Sequence, residues 1–267
     1  MPGYDRLLVA SSKGGVGKST AALGLAAEFA RLGKRVLLCD LDVTSRSLDL
    51  LTGCQDSALF DFADLLCGTD PDKAAALPYP ELPGLRLLPA PSARRMRELC
   101  AERGKEEGEL VGEGLDLIAE AKICDLLVCD TGGGLDLACA AASRFPFVLV
   151  ASGQSQTSVR AAEYAASRLE RCGAGTMRLC VCSFDLSSVK KEGRAGVIEM
   201  IDSSSLQCVG VIPFDPGLQR RQDRGELPAR RSPVTAACRN IARRIMGYDV
   251  PLFEGMPSLY RRRRLAL

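Results

Sequence analysis

A glycine-rich run with two lysines, residues 13–20, carries the clearest chemical signal in this 267-residue chain. It lies between an apolar segment that predicts a strand, residues 7–10, and an alanine-rich segment with the spacing of a helix. Backbone N–H groups of such a loop can wrap phosphates, while Lys18 reaches the outer phosphates and the Ser19 hydroxyl binds Mg²⁺. The sequence therefore predicts a phosphate-binding loop made of Lys13, Gly14, Gly15, Val16, Gly17, Lys18, Ser19 and Thr20.

Three aspartates stand where predicted strands end. Asp40 closes the apolar segment 35–40, and Asp42 follows two positions later, so we expect both carboxylates on one face, toward the phosphate loop. Asp130 closes the apolar segment 126–130, an arrangement that places a carboxylate at the ligand-binding edge of a parallel sheet and orients the water shell of Mg²⁺. The glycines at 132–134 then predict a flexible loop that can approach a terminal phosphate.

Strand and helix patterns alternate along the rest of the chain. They predict an α/β fold with a doubly wound, mainly parallel sheet and helices on both faces. The other predicted strands are 82–88, 146–151, 177–182 and 208–212, and the other predicted helices are 57–66, 115–121, 157–172, 195–201 and 234–246. Residues 93–114 are interpreted as an exposed helix with a mobile connection. We expect one domain, residues 1–247, and a basic tail, residues 248–267.

The composition narrows the function classes. A net charge of +2 gives no global basic field of the kind that marks a nucleic-acid binder. Twelve scattered cysteines, no C-x-x-C motif and no histidine argue against a zinc or iron–sulfur site and favour reduced thiols in a cytoplasmic protein. The N-terminal residues show no export signal, and no apolar run reaches about 18 residues, the length needed to span a membrane.

The phosphate loop resembles the deviant Walker A motif of the MinD/ParA family of ATPases, which has one lysine near its start, here Lys13, and another at its end. Residues 40–50, 61–68 and 209–213 are similar to the MinD branch of this family. The resemblance implies a P-loop NTPase of the SIMIBI type that uses ATP and Mg²⁺.

The resemblance also implies roles for the site residues. Lys18 would neutralise phosphate charge, Asp42 would position and polarise the attacking water, and Lys13 would reach across a homodimer to the partner's nucleotide, so that hydrolysis to ADP and phosphate depends on dimerisation. Mg²⁺ would be held by Ser19 and Asp130, with Asp40 in support. Backbone groups around Pro213 and Phe214 are expected to contribute to the pocket for the nucleotide base.

Three positions depart from the family pattern. Gly132 stands where a proline is usual after the Walker B aspartate, which predicts a more flexible loop. Ser47 stands where MinD proteins usually have asparagine, near the phosphates or the dimer interface. Ser183 stands where an asparagine often reads adenine, so the choice of ATP over GTP depends on the resemblance alone.

The leading hypothesis is a MinD-type ATPase switch that positions the division site or another cellular structure together with a regulatory protein. A weak peripheral contact with the inner face of the membrane would use the four arginines Arg261–Arg264. One alternative is a nucleotide-gated scaffold that localises a pilus or flagellar apparatus with little hydrolysis. Another is a ParA-like DNA-partition ATPase, for which the arginine-rich residues 220–231 would hold DNA without sequence preference.

Overall fold

The computed structural model describes residues 4–75, 77–79 and 81–262, and within them the chain forms one eight-stranded sheet. Its spatial order is β3-β4-β2-β5-β1-β6-β7-β8, and every neighbouring pair is parallel except β3 with β4. The strands are β1 (Arg6–Ala10), β2 (Val36–Asp40), β3 (Leu77–Pro78), β4 (Leu85–Leu88), β5 (Leu126–Asp130), β6 (Phe147–Ser152), β7 (Thr176–Phe184) and β8 (Cys208–Pro213).

Helices connect the parallel strands, as right-handed crossovers require. They are α1 (Lys18–Arg31), α2 (Ser47–Leu51), α3 (Phe62–Leu66), α4 (Pro71–Ala74), α5 (Ala93–Arg103), α6 (Glu107–Ala121), α7 (Asp136–Ala142), α8 (Gln156–Arg171), α9 (Leu186–Glu192), α10 (Val197–Ser204), α11 (Pro216–Gln222), α12 (Pro233–Ile245) and α13 (Pro257–Arg261).

The central strands β2, β5 and β6 are buried along their whole length, because helices cover both faces of a parallel sheet. On one face α1 packs so closely on α12 that a Cβ on Gly24 would lie 2.6 Å from the sulfur of Cys238. β1 lies between β5 and β6, so the carboxyl ends of β1, β2 and β5 meet at one edge of the sheet. This edge is where parallel sheets bind ligands.

The predicted fold class is confirmed, with shifts at the ends of elements. Residues 57–61 were predicted to be helical, and this is wrong: α3 begins only at Phe62, because the Asp61 side chain caps the N–H groups of Ala63 and Asp64. The exposed helix expected in residues 93–114 is present as α5, but residues 107–114 are not a connection and belong to α6. Gly104 takes a left-handed conformation, φ 61°, and ends α5, and α6 then starts eight residues before the predicted position 115.

The chain continues past α12 along the body of the protein. Val250, Phe253, Met256 and Leu259 are all buried. Arg261 and Arg262 belong to the described part of the arginine run, and they are exposed, whereas Arg263 and Arg264 lie outside it. Among the described residues, no helix combines the length and the apolar character needed to cross a bilayer.

Candidate nucleotide-binding site

The predicted phosphate loop connects β1 to α1 at the edge where the strands end. Gly15 and Gly17 take left-handed conformations, with φ of 72° and 101°, which suit glycine. Gly17 is the N-cap of α1, where no side chain caps the helix and no acidic residue stands in the first turn. The first N–H groups of α1, with their partial positive charge, are therefore free for an anion, and the buried Lys18 adds a full charge beside them.

Asp40 and Asp130 face each other at the ends of the paired strands β2 and β5. Both are buried, and burial is the main reason that the pKa of Asp40 is raised to about 7 and that of Asp130 to about 6. The Asp40 oxygens accept hydrogen bonds from the N–H groups of Asp42 (2.9 Å) and Leu48 (3.1 Å). Neither buried oxygen of Asp130 has a donor in full hydrogen-bonding geometry, and the nearby Ser19 hydroxyl lowers its pKa only in part.

This unpartnered carboxylate fits a divalent cation. Ser19 and Lys18 lie near enough to oppose the rise in the pKa of Asp130, which shows that the first turn of α1 faces it. The Ser19 hydroxyl accepts a hydrogen bond from the Ser47 hydroxyl at 3.0 Å. A hydroxyl and buried carboxylates are the oxygen ligands that Mg²⁺ prefers, and its charge would compensate Asp40 and Asp130. The donor set Ser19, Asp40 and Asp130 therefore matches Mg²⁺ chemically.

Asp42 lies in the loop after β2, where its Oδ1 accepts hydrogen bonds from the N–H groups of Thr44 and Ser45, both at 3.0 Å. The Asp42 carboxylate touches the glycine loop: a Cβ on Gly132 would lie 3.0 Å from Asp42 Cγ. The next glycine, Gly133, lies against Gly14 of the phosphate loop. These loops enclose a cavity of about 390 Å³ beside the start of the phosphate loop. Asp42 thus stands where a water molecule could approach a terminal phosphate.

Lys13 is held within its own chain. Its Nζ donates hydrogen bonds to the hydroxyls of Ser155 (3.2 Å), Thr157 (2.7 Å) and Ser158 (3.1 Å), at the N-terminus of α8. The neighbouring Ser12 hydroxyl donates to the carbonyl of Ala161 at 2.6 Å. The start of the phosphate loop is therefore fastened to α8, and Lys13 can act elsewhere only after it leaves these three hydroxyls.

A second cavity, of about 260 Å³, lies on the other side of the loop. Pro213 and Phe214 line it, together with Leu218, Gln219 and Gln222 of α11, and Phe214 is 59% exposed. Gln222, at the end of α11, donates a hydrogen bond to the Thr20 hydroxyl at 2.9 Å. Gln222 could not be recognised from the sequence, because its partner is 202 positions away and no local pattern marks the pair.

The predicted site residues lie in or beside the segments that follow β1, β2, β5 and β8, at one edge of the sheet. Asp42 lines the first cavity, and Gly15, Gly17, Thr20, Pro213 and Phe214 line the second. The family model for the CobQ/CobB/MinD/ParA nucleotide binding domain matches residues 7–229 of the chain. The chain belongs to this family.

Curated relatives agree with the MinD branch of the CobQ/CobB/MinD/ParA family. The septum site-determining protein MinD of Synechocystis is 29% identical over 257 residues, which are 94% of this chain and 93% of the relative. MinD of Escherichia coli K12 is 26% identical over 229 residues, 82% of each chain.

Solved structures agree with the same branch. MinD in a MinC:MinD complex from Aquifex aeolicus superposes with a TM-score of 0.81 at 26% identity, covering 93% of this chain and 98% of that one. A Pyrococcus horikoshii MinD complexed with Mg-ADP has the same fold, with a TM-score of 0.72 at 19% identity, covering 90% of this chain and 95% of that one.

The structure shows the surroundings of the three residues that depart from the MinD/ParA pattern. Gly132 leaves room for the Asp42 carboxylate, which would lie 3.0 Å from a Cβ at that position. Ser47, in the place of asparagine, contacts the Ser19 hydroxyl directly. Ser183, at the edge of the base-side cavity, takes a left-handed conformation, φ 53°, that asparagine tolerates better than serine.

Proposed function

We propose that this chain is an ATPase switch of the MinD type, which positions the division site or another cellular structure through a nucleotide-dependent homodimer. The observation that carries the proposal is the unpartnered, buried Asp130 beside the open N-terminus of α1. A buried carboxylate with no hydrogen bond is costly unless a cation joins it. A phosphate-bound Mg²⁺ meets that requirement, and the MinD relatives over most of the chain agree with it.

The chain's own residues divide the work of ATP hydrolysis. The N–H groups of residues 14–20 and the Lys18 ammonium hold the phosphates, and the cavity at Pro213 and Phe214 holds the base and ribose. Ser19, with Asp130 and Asp40, would hold Mg²⁺, which would supply positive charge to the phosphate oxygens. Asp42 accepts a hydrogen bond from the attacking water and orients it toward the terminal phosphorus.

Lys13 completes the site of a second copy. Within one chain its ammonium binds three neutral hydroxyls, which offer no charge to compensate it. The triphosphate of a facing copy offers several negative oxygens, to which hydrogen bonds are roughly twice as strong as to a neutral acceptor. Transfer of Lys13 from α8 to the partner's nucleotide would therefore link ATP binding to dimerisation. A regulatory protein would then recognise the dimer surface.

Two basic surfaces suggest where the dimer acts. Arg261 and Arg262 are exposed at the end of the described chain, and a dimer would present two such clusters to anionic lipid, each arginine contributing about 1 kcal/mol. We therefore place the switch in the cytoplasm with a peripheral membrane contact. In the competing arginine-rich segment, Arg221 is already paired with Glu226 at 2.9 Å, so this segment gives weaker support for a DNA-partition role.

The test combines turnover with sedimentation. We expect Mg²⁺-dependent ATP hydrolysis that falls to background in Lys13→Ala, and ATP-dependent co-sedimentation with anionic liposomes but not with DNA. Unchanged turnover in Lys13→Ala would refute the mechanism. Salt-sensitive DNA binding in the ATP state would favour the partition alternative, and ATP binding without turnover would favour the scaffold.

A further inference from the structure

Glu107 is a carboxylate that lines the cavity beside Asp42, and no sequence pattern singled it out. The cavity of about 390 Å³ is lined by the loop after β2, the loop after β5, the start of α7 and, from α6, by Glu107. Asp42 lines the same cavity. Two carboxylates from separate elements thus line one space beside the glycine loop.

The packing of α6 fixes Glu107 in this place. It is the first residue of α6, and the preceding turn is closed by a hydrogen bond from the Glu106 N–H to Glu109 Oε2 at 2.9 Å. The next residue, Gly108, lies so close to α7 that an added Cβ would be 2.6 Å from the Cβ of Ala140. Because α6 and α7 touch at this glycine, the backbone of Glu107 is positioned at the cavity.

The Glu107 side chain has no hydrogen bond or ion pair with any residue that the structure describes. The nearest cations along the chain, Arg103 and Lys105, are both paired with Glu113 instead. Burial and the negative charge of Asp42 raise the pKa of Glu107, in that order of size, which agrees with a carboxyl group that faces Asp42 across the cavity. Its hydrogen-bonding capacity is therefore left for a molecule in the cavity.

We propose that Glu107 is a positioning residue for ATP hydrolysis, which accepts one hydrogen bond from the attacking water while Asp42 accepts the other. A water held by two acceptors has its lone pair fixed in direction, and the glycine loop that touches Gly14 places the cavity on the side of the terminal phosphate. The bond formed is from the water oxygen to the γ-phosphorus, the bond broken is from that phosphorus to the β–γ bridging oxygen, and the water proton passes to Asp42. This inference rests on the proposed function.

The test separates positioning from folding and from nucleotide binding. Glu107→Ala should lower kcat about tenfold, the effect of one lost hydrogen bond, with KM for ATP within about twofold of wild type, because Glu107 does not touch the phosphates. Glu107→Gln keeps an acceptor oxygen at the same reach and should recover kcat to within about threefold of wild type. Glu120→Ala removes the same charge from the exposed far end of α6 and serves as the matched control.

Three results would overturn the inference: an unchanged kcat in Glu107→Ala, a loss confined to KM, or a Gln variant as slow as the Ala variant. If Glu107→Ala fails to fold, Glu107→Ser, which suits the first turn of a helix, carries the same expected tenfold loss. Absence of turnover in the wild-type chain would refute the proposed function as well, whereas normal turnover that is indifferent to Glu107 would refute this inference alone.

Discussion

Replacing Asp130 with asparagine should stabilise the ligand-free protein at pH 8 and abolish its response to Mg²⁺. The pKa of Asp130 rises from 3.8 to about 6, mainly through burial, so keeping the carboxylate charged at pH 8 costs the folded state roughly 3 kcal/mol. Asparagine removes the charge but leaves a buried amide with few partners, at a cost of about 1–2 kcal/mol. The expected net gain in the free energy of unfolding is about 1–2 kcal/mol.

The sign of this effect depends on pH. A folded-state pKa above the unfolded value means that the folded protein binds more protons, so the contribution of Asp130 to stability is complete below about pH 4 and is lost as the pH rises through about 6. The stabilisation by Asp130→Asn should therefore appear at pH 8 and disappear, or change sign, at pH 5. The charge of Asp130 is one cause of the raised pKa of Asp40. Neutralising Asp130 should therefore lower the pKa of Asp40, which also stabilises the folded protein at pH 8.

Urea unfolding with EDTA at pH 5 and pH 8 measures the effect, and the same titration with Mg²⁺ and ADP measures the loss of ligand stabilisation. Asp116→Asn is the matched control, because its partner Arg144, at 2.9 Å, lowers the pKa of Asp116, so this variant should lose a little stability at pH 8. An Asp130→Asn variant that is less stable than wild type at pH 8 would show that the carboxylate is not isolated, and the case for a cation there would fail.

Two further predictions concern the loops around the nucleotide. Gly132→Ala would place a Cβ 3.0 Å from the Asp42 carboxylate, which would then have to shift by a few tenths of an ångström, and should lower ATP turnover about two- to fivefold with nucleotide affinity nearly unchanged. Gly133→Ala, whose Cβ meets only an ordinary contact at 3.5 Å, should be close to wild type in the same kinetic assay. Thr157→Val removes the shortest hydrogen bond that holds Lys13 on α8, 2.7 Å. It should therefore lower the protein concentration needed for the ATP-dependent dimer about two- to fivefold, as measured by sedimentation velocity. An unchanged or weaker dimer would argue against this role of the α8 hydroxyls.

Local patterns were enough to predict the phosphate loop and the parallel sheet. The strand that ends at Asp40 and the strand that ends at Asp130 could each be recognised from a short apolar run followed by a carboxylate. The rule that parallel strands bind ligands at their carboxyl ends placed each aspartate at that edge of the sheet. That the two strands are neighbours, with Asp40 opposite Asp130, is known only from the structure. The roles of these carboxylates stay predictions.

The residues that were missed depend on packing between distant elements. α6 was recognised only in its last part because glycines at 108, 112 and 114 weaken the helical signal. In the fold each glycine admits a close neighbour, namely Ala140, Arg144 and Phe62. Glu107 lies in the part of the helix that was not recognised, so it was not selected as a site residue. The hydroxyl partners of Lys13 lie 142 to 145 positions away, so no local pattern could reveal them.

The central claim is that Lys13 completes the nucleotide site of a second copy, and mixing two inactive variants tests it most directly. Lys13→Ala keeps its own Asp42, and Asp42→Ala keeps its own Lys13, so each should be inactive alone. A mixed dimer would contain one site with Asp42 from one chain and Lys13 from the other. Random pairing makes about half of the dimers mixed, and each of these has one intact site out of two. We therefore predict that an equimolar mixture recovers roughly a quarter of wild-type ATP turnover. A mixture as inactive as its two components would contradict the account.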